Sequence, residues 1–208
     1  MSPSPTTLLI ACGALAQEIT ALIRANRWSH MAITCVPAQY HNRPEKITPA
    51  VREKIRAARG DYDRILVVYG DCGTGGELDA MLAEEGIERI DGPHCYQFYA
   101  GRADFEAMMD ADPGTFFLTD YLVRHFDLLI IRGLGLDRHP ALRDEYFGNY
   151  HKLVYLAQTD NADLVAQARA AAAQLGLDFE YRYTGYGELE RFMAEEHSHG
   201  KADHRLLA

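Results

Sequence analysis

Three of the four cysteines sit where a folded chain most readily does chemistry. Cys12 ends a short apolar run and is followed by glycine, Cys72 lies in Gly70-Asp71-Cys72-Gly73-Thr74-Gly75-Gly76, and Cys95 lies in Gly92-Pro93-His94-Cys95-Tyr96. Each cysteine follows a segment that reads as a β-strand, and in an open parallel sheet ligands gather outside the carboxyl ends of the strands. No short Cys-x-x-Cys spacing joins them, so the fold has to bring them together. A thiolate at a helix N-terminus is favoured by the helix dipole and by free N–H groups, which predicts lowered pKa values suited to metal ligation or nucleophilic attack. Cys12, Cys72 and Cys95 are therefore the expected metal ligands, with zinc or a [4Fe–4S] cluster as cofactor. Ordinary core cysteines are the alternative. Cys35 lies inside Ile33-Thr34-Cys35-Val36 with no glycine beside it and reads as packing.

Other polar positions fall near these. Asp71 can orient a ligand or cap a helix. His94 adjoins Cys95, and because successive residues of an extended chain point apart it is expected to support the site rather than ligate; His41 is the other histidine in a nearby loop. The glycines and threonine of Gly73, Thr74, Gly75 and Gly76 suit an anion cradle for a phosphate, a carboxylate or cluster sulfides, or simply a tight turn. They match neither common nucleotide-binding pattern. The segment Gly133-Leu134-Gly135-Leu136-Asp137-Arg138-His139-Pro140 follows another apolar run, which places Asp137, Arg138 and His139 on the same rim as candidates for binding a charged substrate, with a salt-bridged loop as the plain alternative. Asp71, His94, Asp137 and His139 are the candidate catalytic groups. Gly73 to Gly76 and Arg138 are the candidate cofactor-binding groups.

The elements that must position these residues follow from periodicity. Apolar runs predict strands over 7–11, 31–36, 64–69, 88–90, 128–132, 153–156 and 179–183. Helical spacing predicts helices over 14–23, 49–58, 77–85, 120–125 and 162–175. Alternation of this kind argues for an α/β fold: a mostly parallel sheet with helices on both faces and the cysteine-bearing loops at the strand C-terminal ends. The chain of 208 residues is expected to form one domain over 1–194, with a polar tail over 195–208 whose His197, His199 and His204 are solvated.

Composition narrows the function classes. Lys and Arg number 21 against 30 Asp and Glu, a net charge of −9 that repels a phosphate backbone, so nucleic acid is not an expected partner. No signal peptide and no membrane-spanning stretch is read, which predicts a cytoplasmic protein, and in that reducing setting cysteines bind metal or react rather than form disulfides.

Several of these segments together carry a resemblance. Ile10 to Leu15, His41-Asn42-Arg43-Pro44-Glu45, Tyr69 to Gly76, Gly92 to Tyr96, Phe117-Leu118-Thr119-Asp120 and Gly133 to Pro140 resemble the uncharacterised domain-of-unknown-function family numbered 1638, over about residues 8–189. The resemblance implies a setting beside corrinoid-dependent methyltransferases and transfers no catalytic residue. The Asp-x-His-x-x-Gly pattern of a cobalamin carrier is absent from the chain, so a corrinoid would be held by a partner. The function expected is a metal- or iron–sulfur-dependent enzyme or accessory protein of corrinoid-linked one-carbon (methyl transfer) metabolism, acting on a small-molecule substrate. Its partner would be a corrinoid protein or methyltransferase; a homo-oligomer is left open. The alternative is a metal chaperone or cofactor-binding module without turnover.

Overall fold

The structure is a computed structural model; it describes the backbone of residues 6–206 and side chains through residue 198. The chain divides into two compact units, residues 6–95 with 188–206, and residues 96–187. The sequence reads as one domain over the same span; each unit has its own parallel sheet.

In the first unit β1 (Thr7–Cys12), α1 (Ala16–Ala25), β2 (Met31–Val36), α2 (Ile47–Ala58), β3 (Arg64–Val68), α3 (Glu77–Glu85) and β4 (Glu88–Arg89) alternate along the chain. The sheet order is β2-β1-β3-β4, and every pairing is parallel. Every residue of β1 is buried, as a central strand covered on both faces must be. β2 is half-buried, as befits an edge, and Cys35 sits there. The chain leaves β1 for β2 on one side and returns to β3 on the other, so the winding reverses between β1 and β3. At such a reversal the two outgoing loops diverge and leave a crevice at the strand C-termini.

Helix α4 (Cys95–Ala100) leads out of this unit, and the second unit contains α5 (Arg102–Ala111), β5 (Thr115–Thr119), α6 (Asp120–Arg124), α7 (Leu142–Phe147), β6 (Lys152–Ala157), α8 (Ala162–Leu175) and β7 (Asp178–Tyr183). Its sheet runs β5-β6-β7, again all parallel. Phe105, Met108, Phe117, Val154 and Leu156 form one core cluster, and Leu118, Tyr155, Ala168 and Leu175 belong to another. The α/β class and the parallel pairing agree with the sequence reading.

Two elements differ from it. Residues 128–132 are not a strand: Asp127–Ile131 is a π-helical turn, closed by Arg132 N–H donating to Asp127 O at 2.8 Å and by the Arg132–Asp127 ion pair at 2.6 Å. A short apolar run does not by itself distinguish a strand from a buried helical turn. The real strand is β5, whose Thr-Phe-Phe-Leu-Thr follows the Asp112-Pro113-Gly114 turn.

The last helix, α9 (Gly187–Leu206), takes in most of the expected polar tail. Leu189 and Met193 are fully buried one turn apart, and Glu196 pairs with Arg64 at 2.6 Å. His197 is half-buried rather than solvated, its ring 5.3 Å from Trp28 and its Nδ1 3.2 Å from His30 Nε2. The His199 and His204 side chains lie outside the described residues. Among the described residues no helix is long and apolar enough to cross a membrane.

Candidate metal centre

The sheet of the first unit delivers the three cysteines to one edge. Cys12 is the last residue of β1, Cys72 lies four residues past the end of β3, and Cys95 begins α4 after β4. Strands β1, β3 and β4 are neighbours in that order, and the reversal lies between the first two, at whose C-terminal ends Cys12 and Cys72 stand.

Two loops are pinned together there. Asp71 N–H donates to Gly92 O at 3.1 Å and Cys72 N–H to Pro93 O at 2.8 Å. A Cβ on Gly70 would meet His94 Cα at 3.0 Å and Pro93 O at 3.1 Å, so glycine is needed for the close approach. Cys72 has φ 49°, a left-handed conformation uncommon outside glycine, asparagine and aspartate, and one that strained functional sites often hold. The backbone of Cys95 works to lower the Cys72 pKa, which sets it near that thiol.

Cys12 and Cys72 are buried and Cys95 is half-buried, and the pKa values of all three rise rather than fall. Burial is the main cause in each; for Cys72 the Cys12 charge adds to it and the pKa is pushed up to about 12. Cys95 is raised by burial and then by Cys72 and Cys12. The helix-end lowering expected from sequence loses to desolvation, because Cys12 and Cys72 are almost wholly buried and neither starts an α-helix. The Cys12 charge bears on Cys72 and Cys95, and the Cys72 charge on Cys95. No three His, Cys, Asp or Glu side chains among the described residues are arranged to hold a metal ion.

Tyr69, not singled out by sequence, completes the cluster. The Ala11–Val68 pair is the last register step between β1 and β3, so the next step sets Cys12 beside Tyr69. The Tyr69 side chain is fully buried, and its hydroxyl, which makes no conventional hydrogen bond, bears on the Cys12 thiol. Burial, then the charges of Cys12 and Cys72, raise its pKa far above the phenol range. Glu18 is also buried, on the Leu15-Ile19-Leu22 face of α1, and its charge bears on Cys95. A glutamate on the apolar stripe of a helix was the sequence signal for it.

The glycine loop holds an anion of its own. The Asp71 carboxylate accepts from Thr74 Oγ at 2.6 Å, Gly76 N–H at 2.9 Å and Gly75 N–H at 3.2 Å. Partial burial works to raise the Asp71 pKa, but these bonds, with one from Gly73, outweigh it and hold it low. The donors expected to cradle a cofactor are thus taken up by the chain, and Asp71 is an organiser of the loop rather than a free acid or base. His94 is half-buried, with a pKa lowered by burial and partly restored by Asp71. His41 keeps an exposed face, yet lost hydration and the nearby His94 lower its pKa as well; the two ring centres are 6.3 Å apart.

Asp137, Arg138 and His139 belong to the second unit. They follow the π-helical turn, not a strand, which removes the geometric ground for setting them on the cysteine rim. All three are exposed; Arg138 lies 3.8 Å from Asp137, and Arg138 and His139 N–H both donate to Gly135 O in a tight turn. The salt-bridged loop describes them.

The second unit has a buried polar group that sequence reasoning missed. Asp120, wholly enclosed at the end of β5, accepts from Tyr155 OH at 2.7 Å, Gln158 N–H at 2.9 Å and the Thr159 hydroxyl, while its own N–H donates to Gln158 Oε1 at 2.8 Å.

The family model described as protein of unknown function (DUF1638) matches residues 35–193, and the chain belongs to that family. The matched stretch contains Cys72 and Cys95 and begins after Cys12. No curated protein matches the chain. Among solved structures, ornithine carbamoyltransferase from Pyrococcus furiosus is similar at 15% identity and a TM-score of 0.28, over 88% of this chain and 55% of that one. The chain thus spans a little over half of that enzyme's length, and a likeness this slight carries neither fold nor function.

Proposed function

We propose that this DUF1638 protein binds a thiophilic metal centre, zinc or an iron–sulfur cluster, through Cys12, Cys72 and Cys95. The observation that supports it is that the sheet order carries Cys12, Cys72 and Cys95 to one edge, where the Cys12 charge raises the pKa of Cys72 and both raise that of Cys95. The raised values are what three thiols in a dry site have without a cation, and a bound metal would reverse them by coordinating the thiolates.

Three thiolates leave one coordination position open, through which the metal would activate a substrate thiol or act as a Lewis acid. The chain's own groups have separate tasks. Tyr69 faces the Cys12 sulfur, Asp71 shapes the loop that presents Cys72, and the neutral imidazoles of His41 and His94 can take a proton from an incoming small molecule. In its enzymatic form the proposal is methyl transfer to a thiol in corrinoid-linked one-carbon metabolism, in the cytoplasm, with a corrinoid protein or methyltransferase as partner. The burial of Cys12 and Cys72 favours a resident centre over a chaperone, whose thiols must be open to exchange.

Protein purified without oxygen and analysed for metal, sulfide and visible absorption tests this reading. Iron with sulfide and a brown colour selects a cluster, and colourless protein with stoichiometric zinc selects zinc. Protein that carries neither, and takes up neither on reconstitution, overturns it.

A further inference from the structure

Arg89, the last residue of β4, connects backbone groups of both loops that carry Cys72 and Cys95. Its guanidinium grips Asp79 of α3 with two nitrogens, Nε to Oδ1 at 2.5 Å and Nη2 to Oδ2 at 2.9 Å. Its remaining nitrogen, Nη1, donates to Ile90 O at 2.8 Å, Gly92 O at 3.2 Å and Tyr69 O at 3.4 Å. The side chain is 11% exposed, although Asp79 is half open to water.

These partners are not scattered. Tyr69 begins the loop that carries Cys72, Ile90 and Gly92 belong to the loop that carries Cys95, and Asp79 lies on the helix into which the first loop runs. The Gly92 carbonyl that Arg89 holds is also the acceptor of Asp71 N–H. One planar cation therefore sets the spacing of two loops whose own bonds, Asp71 to Gly92 and Cys72 to Pro93, are short backbone contacts without a regular ladder. A lysine could keep the charge opposite Asp79 but not the fixed fork that reaches three carbonyls.

We infer that Arg89 is a positioning residue for the Cys72–Cys95 half of the proposed metal centre, an inference that rests on the metal-binding reading. Residues that hold ligands in place without touching the metal typically change affinity by roughly ten- to a hundred-fold.

The test is titration of chelator-stripped protein with Co²⁺, followed by absorbance, for wild type, Arg89→Lys and Arg89→Ala. The expected result is thiolate–cobalt charge-transfer bands in the wild type, and in both variants about ten- to a hundred-fold weaker binding with shifted ligand-field bands. A merely structural role would lower the melting temperature, be largely rescued by lysine and leave the cobalt spectrum unchanged. Wild-type affinity and spectrum in Arg89→Lys overturn the inference, and this variant decides the matter should Arg89→Ala fail to fold. If the wild type takes up no Co²⁺, the metal-binding reading fails, and alkylation of each cysteine followed by mass spectrometry then decides the role of Arg89. Faster labelling of Cys72 and Cys95 in Arg89→Lys, with Cys12 and Cys35 unchanged, supports it; equal rates at all four cysteines overturn it.

Discussion

The Cys72 amide donates to the carbonyl of Pro93 at 2.8 Å, and this bond ties a left-handed cysteine to the loop that ends in Cys95. Two ligand candidates on separate loops are thereby placed by backbone geometry. Their separation then depends on small residues and on carbonyls, not on long side chains.

Gly70 is where this arrangement is most sensitive to a methyl group. Gly70→Ala sets a Cβ against His94 and Pro93 backbone at 3.0–3.1 Å, so stability to urea should fall by about 1–3 kcal/mol. Gly75→Ala meets nothing within 4 Å and should cost only the strain of φ 62°, about 1 kcal/mol. Equal midpoints for the two variants would show that the loops are not in close contact.

Asp71 should make stability depend on pH with a definite sign. Its folded pKa lies below the unfolded value, so its contribution is present above the ordinary carboxylate range and is lost as pH falls through the folded pKa. Chelator-stripped wild type should exceed Asp71→Asn by about 1–2 kcal/mol at pH 7, and the gap should narrow as the pH falls below the ordinary carboxylate range. A gap that is constant from pH 7 to pH 3 would mean that the carboxylate charge plays no part in the loop.

The elements were legible where the sequence carries a clear period. Val67, Val68 and the run before Cys12 belong to apolar stretches that lead into glycine loops, and both stretches are strands of the first sheet. That pattern sets Cys12 and Cys72 at the C-terminal ends of β1 and β3; Cys95 follows the two-residue β4, which has no apolar run of its own. What sequence could not supply was the partner of each polar group. Asp71 and the glycine loop read as a receptor and its neighbour, whereas in the fold one fills the other. Leu128 to Ile131 read as a strand because four apolar residues have no period, and the Asp127–Arg132 pair that makes the run helical spans five residues. Asp120 and Tyr69 were hidden for a related reason: a polar residue at a strand end declares itself only when the neighbouring strand is known.

Asp120 gives a sharp contrast in the second unit. Asp120→Asn places an amide N–H₂ among donors in a fully buried site and should cost about 2–4 kcal/mol in chemical denaturation. Asp127→Asn, in an exposed ion pair with Arg132, should cost less than about 1 kcal/mol. Comparable losses would contradict the buried network.

Thiol chemistry should report the enclosure of the cysteines. With the Cys72 pKa at about 12, its thiolate fraction at pH 8 is on the order of 10⁻⁴, so chelator-stripped protein should react slowly with a disulfide reagent at Cys72. The rate should climb steadily between pH 8 and pH 10, and unfolding should speed it by more than about ten-fold. A fast, pH-independent reaction at Cys72 would mean an activated thiolate instead.

The central claim is most directly tested by metal content per chain in four single variants prepared without oxygen. Cys12→Ser, Cys72→Ser and Cys95→Ser should each lose most of the bound zinc or iron, while Cys35→Ser, altered on the edge strand, should keep the wild-type amount. Wild-type metal content in Cys12→Ser, Cys72→Ser and Cys95→Ser would contradict a shared three-cysteine centre.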